Sequence, residues 1–390
     1  MTAVLDGLRV LDLSRLLPGP FATQLLADFG ADVVKVEEPG RGDYLREHAP
    51  LRDGESLFFL NLNRNKRSVA LDLKTPGGRE AFLRLAASAD LVVESFRPGV
   101  MDRLGVGYET LRRDNPRLVY CALTGYGQDG PLSRQAGHDV NYLGISGVLG
   151  LVRDAEGRPV VPGVQFADLG GGAVTACVGI LLALLARERT GRGQFVDAAM
   201  VDGLAPWVVY RWAFRGREGE APGPCLSGEY PCYGVYEAAD GRYLAVGALE
   251  PVFWERLCRH LGRPEWAPRQ FAGGEERTAV FAALRELFRT KTRDAWAAEL
   301  GPVDCCVTPV LEVEELEDHP YWAARGLVER FLAPGAGEVR GLAAPVRLGE
   351  TPARLRSPPP RLGEHTEDVL REAGYGDADL VRLRASGALG

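Results

Sequence analysis

A histidine and an aspartate stand side by side in RQAGHDVNYLGISG, residues 134–147 of the chain. His138 is one of only 5 histidines, and the nearby glycines Gly137 and Gly144 leave room for another molecule to dock. Histidine exchanges protons near neutral pH more readily than other side chains do. His138 is therefore a candidate acid–base residue, although a lone histidine is more commonly structural. Asp139 could hold the backbone or orient a second partner.

A second candidate acid, Asp168, stands near the start of ADLGGGAVTACVGILLALLARERTGRG, residues 167–193. This segment predicts a helix that runs to Arg189, is apolar nearly all round and is therefore buried. Basic residues followed by Gly191 are typical of a helix C-terminus. At the other end, Asp168 could simply cap the free N–H groups of the first turn.

Three glycines, at residues 170–172, follow this aspartate. Each costs about 1 kcal/mol in helix propensity, and a structural cap does not need them. They would let another backbone or a ligand approach the helix N-terminus closely. Exposed N–H groups at that position can stabilise a developing negative oxygen, which favours a catalytic role for Asp168.

Glu250 lies among apolar residues in VGALEPVFWERL, residues 246–257, at a predicted strand-to-helix junction. It could be an N-cap or a first-turn acid before Pro251. Alternatively, its carboxylate could orient a histidine.

Basic residues cluster in NLNRNKRSVALDLK, residues 61–74, and in FRPGVMDRLG, residues 96–105. Such charges usually form a solvated face, but the formal net charge of this chain is −7. A cationic patch near strand ends then predicts a site for phosphates. The residues concerned are Arg64, Lys66, Arg67, Lys74, Arg97 and Arg103.

The first third of the chain alternates apolar strands with helices, which predicts an α/β fold with a parallel, doubly wound sheet. Ligands of such sheets bind at the carboxyl ends of the strands. The segment after the first strand, SRLLPGPFA, matches neither dinucleotide nor P-loop fingerprints, which disfavours a nicotinamide or ATP enzyme. We predict strands at residues 8–14, 32–39, 68–74, 91–96 and 118–127, helices at 19–30 and 76–90, a strand and long helix within 193–216, a hairpin at 233–249, helices to about residue 320 and a capped helix within 357–375.

The acidic composition argues against a general nucleic-acid or anionic-membrane surface. The N-terminus does not resemble a signal peptide, and no uninterrupted apolar run reaches the length of a membrane span. The 7 cysteines are scattered without CxxC spacing, which predicts free thiols in a reducing cytoplasm. Trp207, Trp212 and Trp254 are expected in the core rather than on a substrate surface.

Seven segments together resemble the family III CoA-transferase (CaiB/BaiF) superfamily, which includes CoA-transferases and alpha-methylacyl-CoA racemases. The resemblance covers nearly the whole chain and is carried by GLRVLDLSRLLPGPFATQLLADFGADVVKVE, NRNKRSVALDLK, FRPGVMDRLG, LTGYGQDGP, ADLGGG, TGRGQFVDAAMVDG and GEHTEDVL. AGHDVNYLGISGVL, YEAADGRYLAVGALEP and DCCVTPVLEVEEL resemble the racemase branch in particular.

In the racemase branch a His and an Asp face opposite sides of the substrate's alpha-carbon, and they match His138 and Asp168. Asp139 and Glu250 match the acids that support this pair. The resemblance implies no metal or redox cofactor, and CoA enters only as part of the thioester substrate. The residues expected to contact that substrate are Leu71, Asp72, Leu73, Lys74, Ser95, Phe96, Arg97, Arg103, Gly137, Val140, Asn141, Tyr142, Gly170 and Gly171.

Two departures from the racemase pattern leave alternatives open. Residues 42–63 are longer than in typical racemases and resemble the transferase branch, in which the aspartate matching Asp168 is the nucleophile. Glu38 stands where many racemases have an arginine that contacts the CoA nucleotide, and Arg41 and Lys35 are the two candidates to replace that arginine. A third alternative, a non-catalytic acyl-CoA binding protein, would have little use for paired acid and base residues beside a glycine turn.

The resemblance also implies an intertwined homodimer whose active sites lie between the large domain of one chain and the small domain of the other. We predict a large Rossmann-like CoA-binding domain at residues 1–216, completed by 330–390. A linker and a smaller α+β domain would occupy residues 217–329.

Overall fold

The computed structural model describes residues 3–216, 225–333 and 335–390. The chain forms two compact units. The first comprises Met1–Val208 and Ala323–Gly390, and the second comprises Val209–Trp322. The domain boundary predicted at residue 217 lies outside the described residues.

Apolar runs bounded by turn residues form the strands, as the pattern predicts. In the described residues the strands are β1 Arg9–Asp12, β2 Asp32–Glu37, β3 Leu51–Arg52, β4 Glu55–Ser56, β5 Lys66–Ala70, β6 Leu91–Glu94, β7 Val119–Thr124, β8 Phe195–Ala199, β9 Tyr233–Glu237, β10 Tyr243–Gly247, β11 Val307–Pro309, β12 Val328–Ala333 and β13 Gly337–Leu342.

Helices connect most of these strands. The α-helices of the described residues are α1 Pro18–Asp28, α2 Leu57–Leu62, α3 Pro76–Ala86, α4 Val100–Arg103, α5 Tyr108–Asp114, α6 Asp139–Ser146, α7 Thr175–Thr190, α8 Met200–Leu204, α9 Val209–Ala213, α10 Pro251–His260, α11 Gly274–Phe288, α12 Arg293–Leu300, α13 Pro320–Arg325, α14 Thr366–Glu372 and α15 Asp377–Ala385. Short 3₁₀ turns lie at Tyr44–Glu47, Leu149–Leu151, Ala205–Val208, Pro264–Arg269, Gly301–Val303 and Val313–Glu315.

The central sheet of the first unit has six parallel strands in the order β5-β2-β1-β6-β7-β8. This confirms the predicted parallel, doubly wound α/β fold. The order reverses between β1 and β6, so the chain leaves these two neighbouring strands in opposite directions. A crevice forms at the carboxyl ends of two such strands, where ligands of doubly wound sheets bind.

Each face of the sheet is covered by its own apolar core. On one face, Phe82 and Leu85 of α3 pack with Val369 of α14 and Leu383 of α15, so the C-terminal helices complete this layer. On the other face, Leu26 of α1 packs with residues of α7 and α8.

Helix α7 differs from its prediction because it is buried on one side only. Ile180 and Leu184 face the core, whereas Val178, Leu182 and Leu185 are exposed. With the preceding turn, the helical stretch Ala167–Thr190 is long and apolar enough to cross a membrane. Core helices of soluble proteins meet the same criterion, so the predicted absence of a membrane span stays a prediction.

The second unit is built on an antiparallel sheet in the order β11-β10-β9, with the predicted hairpin between β9 and β10. Trp254 of α10 is fully buried in its core, as predicted. Trp207 and Trp212 are 48% and 62% exposed, so the prediction of a core position is wrong for both. They lie where the predicted long helix breaks into α8, a 3₁₀ turn and α9 around Pro206.

Candidate active site

A cavity of about 440 Å³ lies at the carboxyl ends of β1 and β6. Arg15 and Leu16 line it from the loop after β1, and Ser95, Phe96 and Arg97 line it from the loop after β6. These are the two strands between which the sheet order reverses. The fold therefore places this cavity, called the cleft below, where a doubly wound sheet is expected to bind its ligand.

His138 and Asp168 line this same cleft although they are thirty residues apart in the chain. His138 immediately precedes α6, and its backbone N–H donates to the side-chain oxygen of Asn141 at 3.0 Å. The imidazole is exposed and makes no hydrogen bond to any residue that the structure describes. It is therefore free to act on a bound molecule.

Asp139 holds the backbone that carries Asp168. Its Oδ1 accepts the N–H groups of Ala167 at 2.7 Å and of Asp168 at 3.0 Å. These are orphan donors of the first helical turn, so Asp139 is the residue that caps this helix. The prediction that Asp168 could be the cap is wrong, since the helical segment already begins at Ala167. Of the two roles considered for Asp139, holding the backbone is the one that the structure provides.

The carboxyl of Asp168 has an unusual pKa. Burial raises this pKa from the ordinary value of 3.8 to about 7, and the negative charge of Asp139 acts in the same direction. Near neutral pH the Asp168 carboxyl can therefore hold or release a proton, which a carboxyl in water cannot do.

The first turns before α7 are wound as a π-helix over Ala167–Val174. Within them, a Cβ on Gly171 would lie 2.7 Å from the carbonyl oxygen of Met200, and one on Gly170 would lie 2.4 Å from the Trp207 ring. In return, a Cβ on Gly203 would lie 1.9 Å from the carbonyl oxygen of Gly171. Gly171 and Gly203 thus permit close backbone contact between this segment and α8. Neither Gly170 nor Gly171, which were predicted to contact the substrate, lines the cleft.

Tyr142 supports the loop that ends at His138. Its hydroxyl donates to the carbonyl of Gly137, and its ring packs edge-on against Tyr126 at 5.1 Å. A Cβ on Gly137 would come within 2.6 Å of the Tyr142 ring. Gly137 is therefore needed for this contact, and both predicted residues line the cleft.

Glu94, at the end of β6, fixes the neighbouring loop. It is buried, and its Oε2 accepts the backbone N–H of Phe96 at 2.6 Å. Burial raises the pKa of Glu94 to about 7. Ser95 in turn accepts the backbone N–H of Arg15 through Oγ at 3.1 Å, which joins the two loops of the cleft.

The predicted phosphate patch at residues 61–74 is largely absent because its cations are paired inside the protein. Arg64 is 1% exposed and binds Asp28 through two nitrogens, at 3.0 and 2.6 Å. Lys66, also 1% exposed, contacts Asp12 at 3.1 Å. The assignment of these two residues to a phosphate site is wrong.

Two more basic residues of that segment are paired near the surface. Arg67 binds Asp32 and Glu372 at 2.7 Å each. Lys74 pairs with Glu38 at 2.6 Å and stays largely exposed. Neither lines the cleft in this structure.

Lys35 cannot take the place of the arginine that contacts the CoA nucleotide in many racemases, at the position where this chain has Glu38. Its side chain is fully buried, donates to the carbonyl of Ser14 at 2.9 Å and pairs with Asp43 at 3.0 Å. Arg41, the other alternative, is exposed and paired with Glu47.

Several other predicted contact residues do not line the cleft. Leu71 is buried, and its backbone N–H donates to the carbonyl of Glu37. Glu250, which was predicted to support His138 rather than to contact the substrate, lies in the second unit directly before α10. The Glu250 carboxylate is exposed and makes no capping hydrogen bond. The others outside the cleft lining are Asp72, Leu73, Lys74, Arg103, Val140 and Asn141.

Sequence reasoning missed Arg15, Leu16 and Tyr44, which line the cleft. The signal for the first two was their position directly after the first predicted strand, where ligands of doubly wound sheets bind. Tyr44 lies in the segment that was noted only for its length, so no local pattern identified it.

The comparisons with known proteins agree with this fold. The model of CoA-transferase family III matches residues 5–366. The chain is 39% identical to an alpha-methylacyl-CoA racemase of Homo sapiens, over 98% of this chain and 96% of that protein. It is 37% identical to the beta subunit of a succinyl-CoA–L-malate CoA-transferase of Chloroflexus aurantiacus, over 98% of each. A CAIB/BAIF family protein from Brucella suis superposes with a TM-score of 0.81 at 33% identity, covering 96% of this chain and 100% of that one.

Proposed function

Because the chain belongs to CoA-transferase family III and is thereby an enzyme that acts on CoA thioesters, we propose that it is an alpha-methylacyl-CoA racemase. It would epimerise the 2-methyl stereocentre of an acyl-CoA. The proposal includes a cytoplasmic location and a reaction without metal or redox cofactor.

The chemistry requires one proton acceptor and one proton donor on opposite faces of the alpha-carbon. A base removes the alpha proton, and the electron pair of the broken C–H bond moves into the thioester carbonyl to form an enolate. An acid on the other face then returns a proton to the same carbon. In the opposite direction the two groups exchange roles.

The observation that carries this proposal is that an imidazole and a carboxyl with a pKa of about 7 line one cleft. Neutral His138 would accept the proton of one enantiomer, and protonated Asp168 would donate to the other face. Because a proton donor must be protonated, the rate in this direction should fall as the pH rises through the pKa of Asp168.

Deuterium exchange tests the proposal. In D2O the enzyme should replace the alpha proton of a 2-methylacyl-CoA by deuterium and epimerise it. His138→Ala and Asp168→Ala should each lower the rate by about 100-fold or more. His260→Ala is a matched control, because His260 lies in the second unit, paired with Glu299. An enzyme that exchanges no alpha proton on any of a panel of branched acyl-CoAs is not a racemase.

The 37% identity to a CoA-transferase across 98% of both chains favours a second candidate function. There the ionised Asp168 would attack the thioester carbonyl, and CoA would leave as a thiolate. Hydroxylamine-sensitive acylation of Asp168, located by mass spectrometry, together with transfer of CoA to a free acid would establish this alternative. A carboxyl that holds its proton up to about pH 7 suits the donor role better than the nucleophilic role.

We also propose that the enzyme is a homodimer with a shared active site. The exposed side of the helical stretch Ala167–Thr190 carries an apolar stripe. This stripe supports the proposal, because monomers rarely expose such a surface to water. It consists of Val174, Val178, Leu181, Leu182 and Leu185, which are 46–62% exposed. Leu182→Glu should lower the apparent mass on gel filtration by half, whereas Arg382→Glu on α15 should not.

Glu250 of the partner subunit would then orient His138. A Glu250→Gln variant should lose activity while remaining dimeric. When it is mixed with a His138→Ala variant and exchange of subunits is demonstrated, about half of the dimers carry one subunit of each variant. If each site combines His138 of one subunit with Glu250 of the other, one of the two sites in such a mixed dimer is wild type, and activity should rise to about one quarter of the wild-type rate. No activity beyond that of the parent variants would contradict the shared site, because it would mean that both residues of a site come from the same subunit.

A further inference from the structure

Arg15 is a cation of the cleft whose neighbours are aromatic rings rather than carboxylates. Its guanidinium carbon lies 5.6 Å from the centre of the Tyr44 ring and 5.0 Å from that of Phe96. Within the part of the chain that the structure describes, no carboxylate lies within ion-pair distance of it. The rings restrain the guanidinium without neutralising its charge.

Four other basic groups near these strand ends are already engaged. Lys35 and Lys66 are buried in ion pairs, Lys74 is paired with Glu38, and Arg41 is paired with Glu47. Arg15 therefore has a donor set available for an anion that these four groups lack. Arg97 also lines the cleft, from the loop after β6, but Arg15 is the one held between two aromatic rings.

A buried network fixes the backbone on both sides of Arg15. The ammonium of Lys35 donates to the carbonyl of Ser14 at 2.9 Å, and Asp43 accepts the N–H of Leu16 through Oδ1 at 3.2 Å. The N–H of Arg15 itself donates to Ser95. Leu16 has φ of 64°, a left-handed conformation that is rare for a bulky residue and persists only where surrounding contacts impose it.

The charge of Arg15 also reaches the Glu38–Lys74 ion pair. Hydrogen bonding to Lys74 is the main cause that lowers the pKa of Glu38, and the charge of Arg15 adds to it. The charge of Arg15 thus acts at position 38, where the resemblance predicts the contact with the CoA nucleotide.

We propose that Arg15 binds a phosphate group of the CoA moiety. The proposal rests on the proposed function only for its substrate class, a CoA thioester. It also accounts for the acidic residue at position 38, because the phosphate contact is supplied from the loop after β1 instead. The diphosphate and the 3′-phosphate share this chemistry.

Calorimetric titration with three probes tests the proposal: CoA, dephospho-CoA, which lacks the 3′-phosphate, and pantetheine, which lacks every phosphate. Arg15→Gln should weaken CoA binding by on the order of tenfold, the loss expected for one charge-assisted hydrogen bond. Pantetheine, titrated to millimolar concentration, should bind both proteins equally. Arg15→Lys keeps the charge without the planar fork and should lie between them, and Arg382→Gln is the matched control for charge.

The dephospho-CoA titration identifies the phosphate. If Arg15→Gln weakens dephospho-CoA as much as CoA, the contact is with the diphosphate, and if dephospho-CoA binding is unchanged, it is with the 3′-phosphate. Unchanged CoA affinity in Arg15→Gln, or equal weakening of CoA and pantetheine, would overturn the proposal. Should Arg15→Gln not fold, Arg15→Lys gives the same comparison. Ligand binding is measured without turnover, so this result is independent of whether the enzyme racemises.

Discussion

Asp139 accepts the backbone N–H of Asp168 through Oδ1 at 3.0 Å. The residue that follows His138 in the chain thus holds the peptide of the other candidate proton-transfer residue. One carboxylate thereby joins the α6 N-terminus to the helical segment that begins at Ala167. The negative charge of this carboxylate also raises the pKa of Asp168, although burial is the larger cause of that rise.

Substituting Asp139 should separate its two effects. Asn can still accept the two N–H groups but carries no charge, so Asp139→Asn should lower the pKa of Asp168 and shift the pH–rate profile toward acid. Ala leaves both donors unpaired, so Asp139→Ala should also lower the free energy of unfolding by about 1–2 kcal/mol. Kinetic pH profiles and chemical denaturation would measure these changes. Identical profiles for the wild type and Asp139→Asn would mean that its charge does not act on Asp168.

The raised pKa of Asp168 predicts how stability depends on pH. Between its ordinary value of 3.8 and about 7, the folded protein retains a proton that the unfolded chain has released. The free energy of unfolding should therefore fall as pH rises through this range. Asp168→Asn should make the melting temperature less dependent on pH between 4 and 7, as measured by calorimetry. Glu94 contributes with the same sign, so part of the slope should remain in Asp168→Asn and become smaller in the double variant with Glu94→Gln. Burial also raises the pKa values of Asp197 and Glu329, so some slope should remain even there.

Arg64 should prove to be structural. Arg64→Met leaves Asp28 buried without its bidentate partner and should lower the free energy of unfolding by about 3–5 kcal/mol. CoA affinity of the protein that remains folded should not change. As a control, Arg158→Met removes an exposed pair with Asp154 and should leave the free energy of unfolding nearly unchanged, because solvent screens such a pair. A folded Arg64→Met variant with selectively weakened CoA binding would contradict this prediction and show that Arg64 takes part in phosphate binding.

Gly203 should tolerate no side chain. Its added Cβ would lie 1.9 Å from the carbonyl oxygen of Gly171, and a backbone atom cannot rotate away as a side chain can. Gly203→Ala should therefore destabilise the protein by about 1–3 kcal/mol and slow catalysis, because α8 packs on the segment that carries Asp168. Gly150→Ala is the control, since a Cβ there meets nothing within 4 Å. Equal melting temperatures for the two variants would show that the contact between the helices is not close.

The sequence by itself determined the sheet and the two proton-transfer candidates. Apolar strands spaced by helices require a parallel, doubly wound sheet, and strands β1, β2, β6 and β7 lie within their predicted ranges. Residue type and local setting singled out His138 and Asp168, which both line the cleft. These inferences depend on periodicity and side-chain chemistry, which the sequence displays directly.

Only the tertiary structure decided which charges remain available to a ligand. Arg64 and Arg15 look alike in a sequence, yet Arg64 meets Asp28 in the interior whereas Arg15 meets the rings of Tyr44 and Phe96. The same holds for Asp168, whose pKa depends on burial and on the position of Asp139. Pairing and desolvation arise from residues distant in the chain, so no local pattern could reveal them.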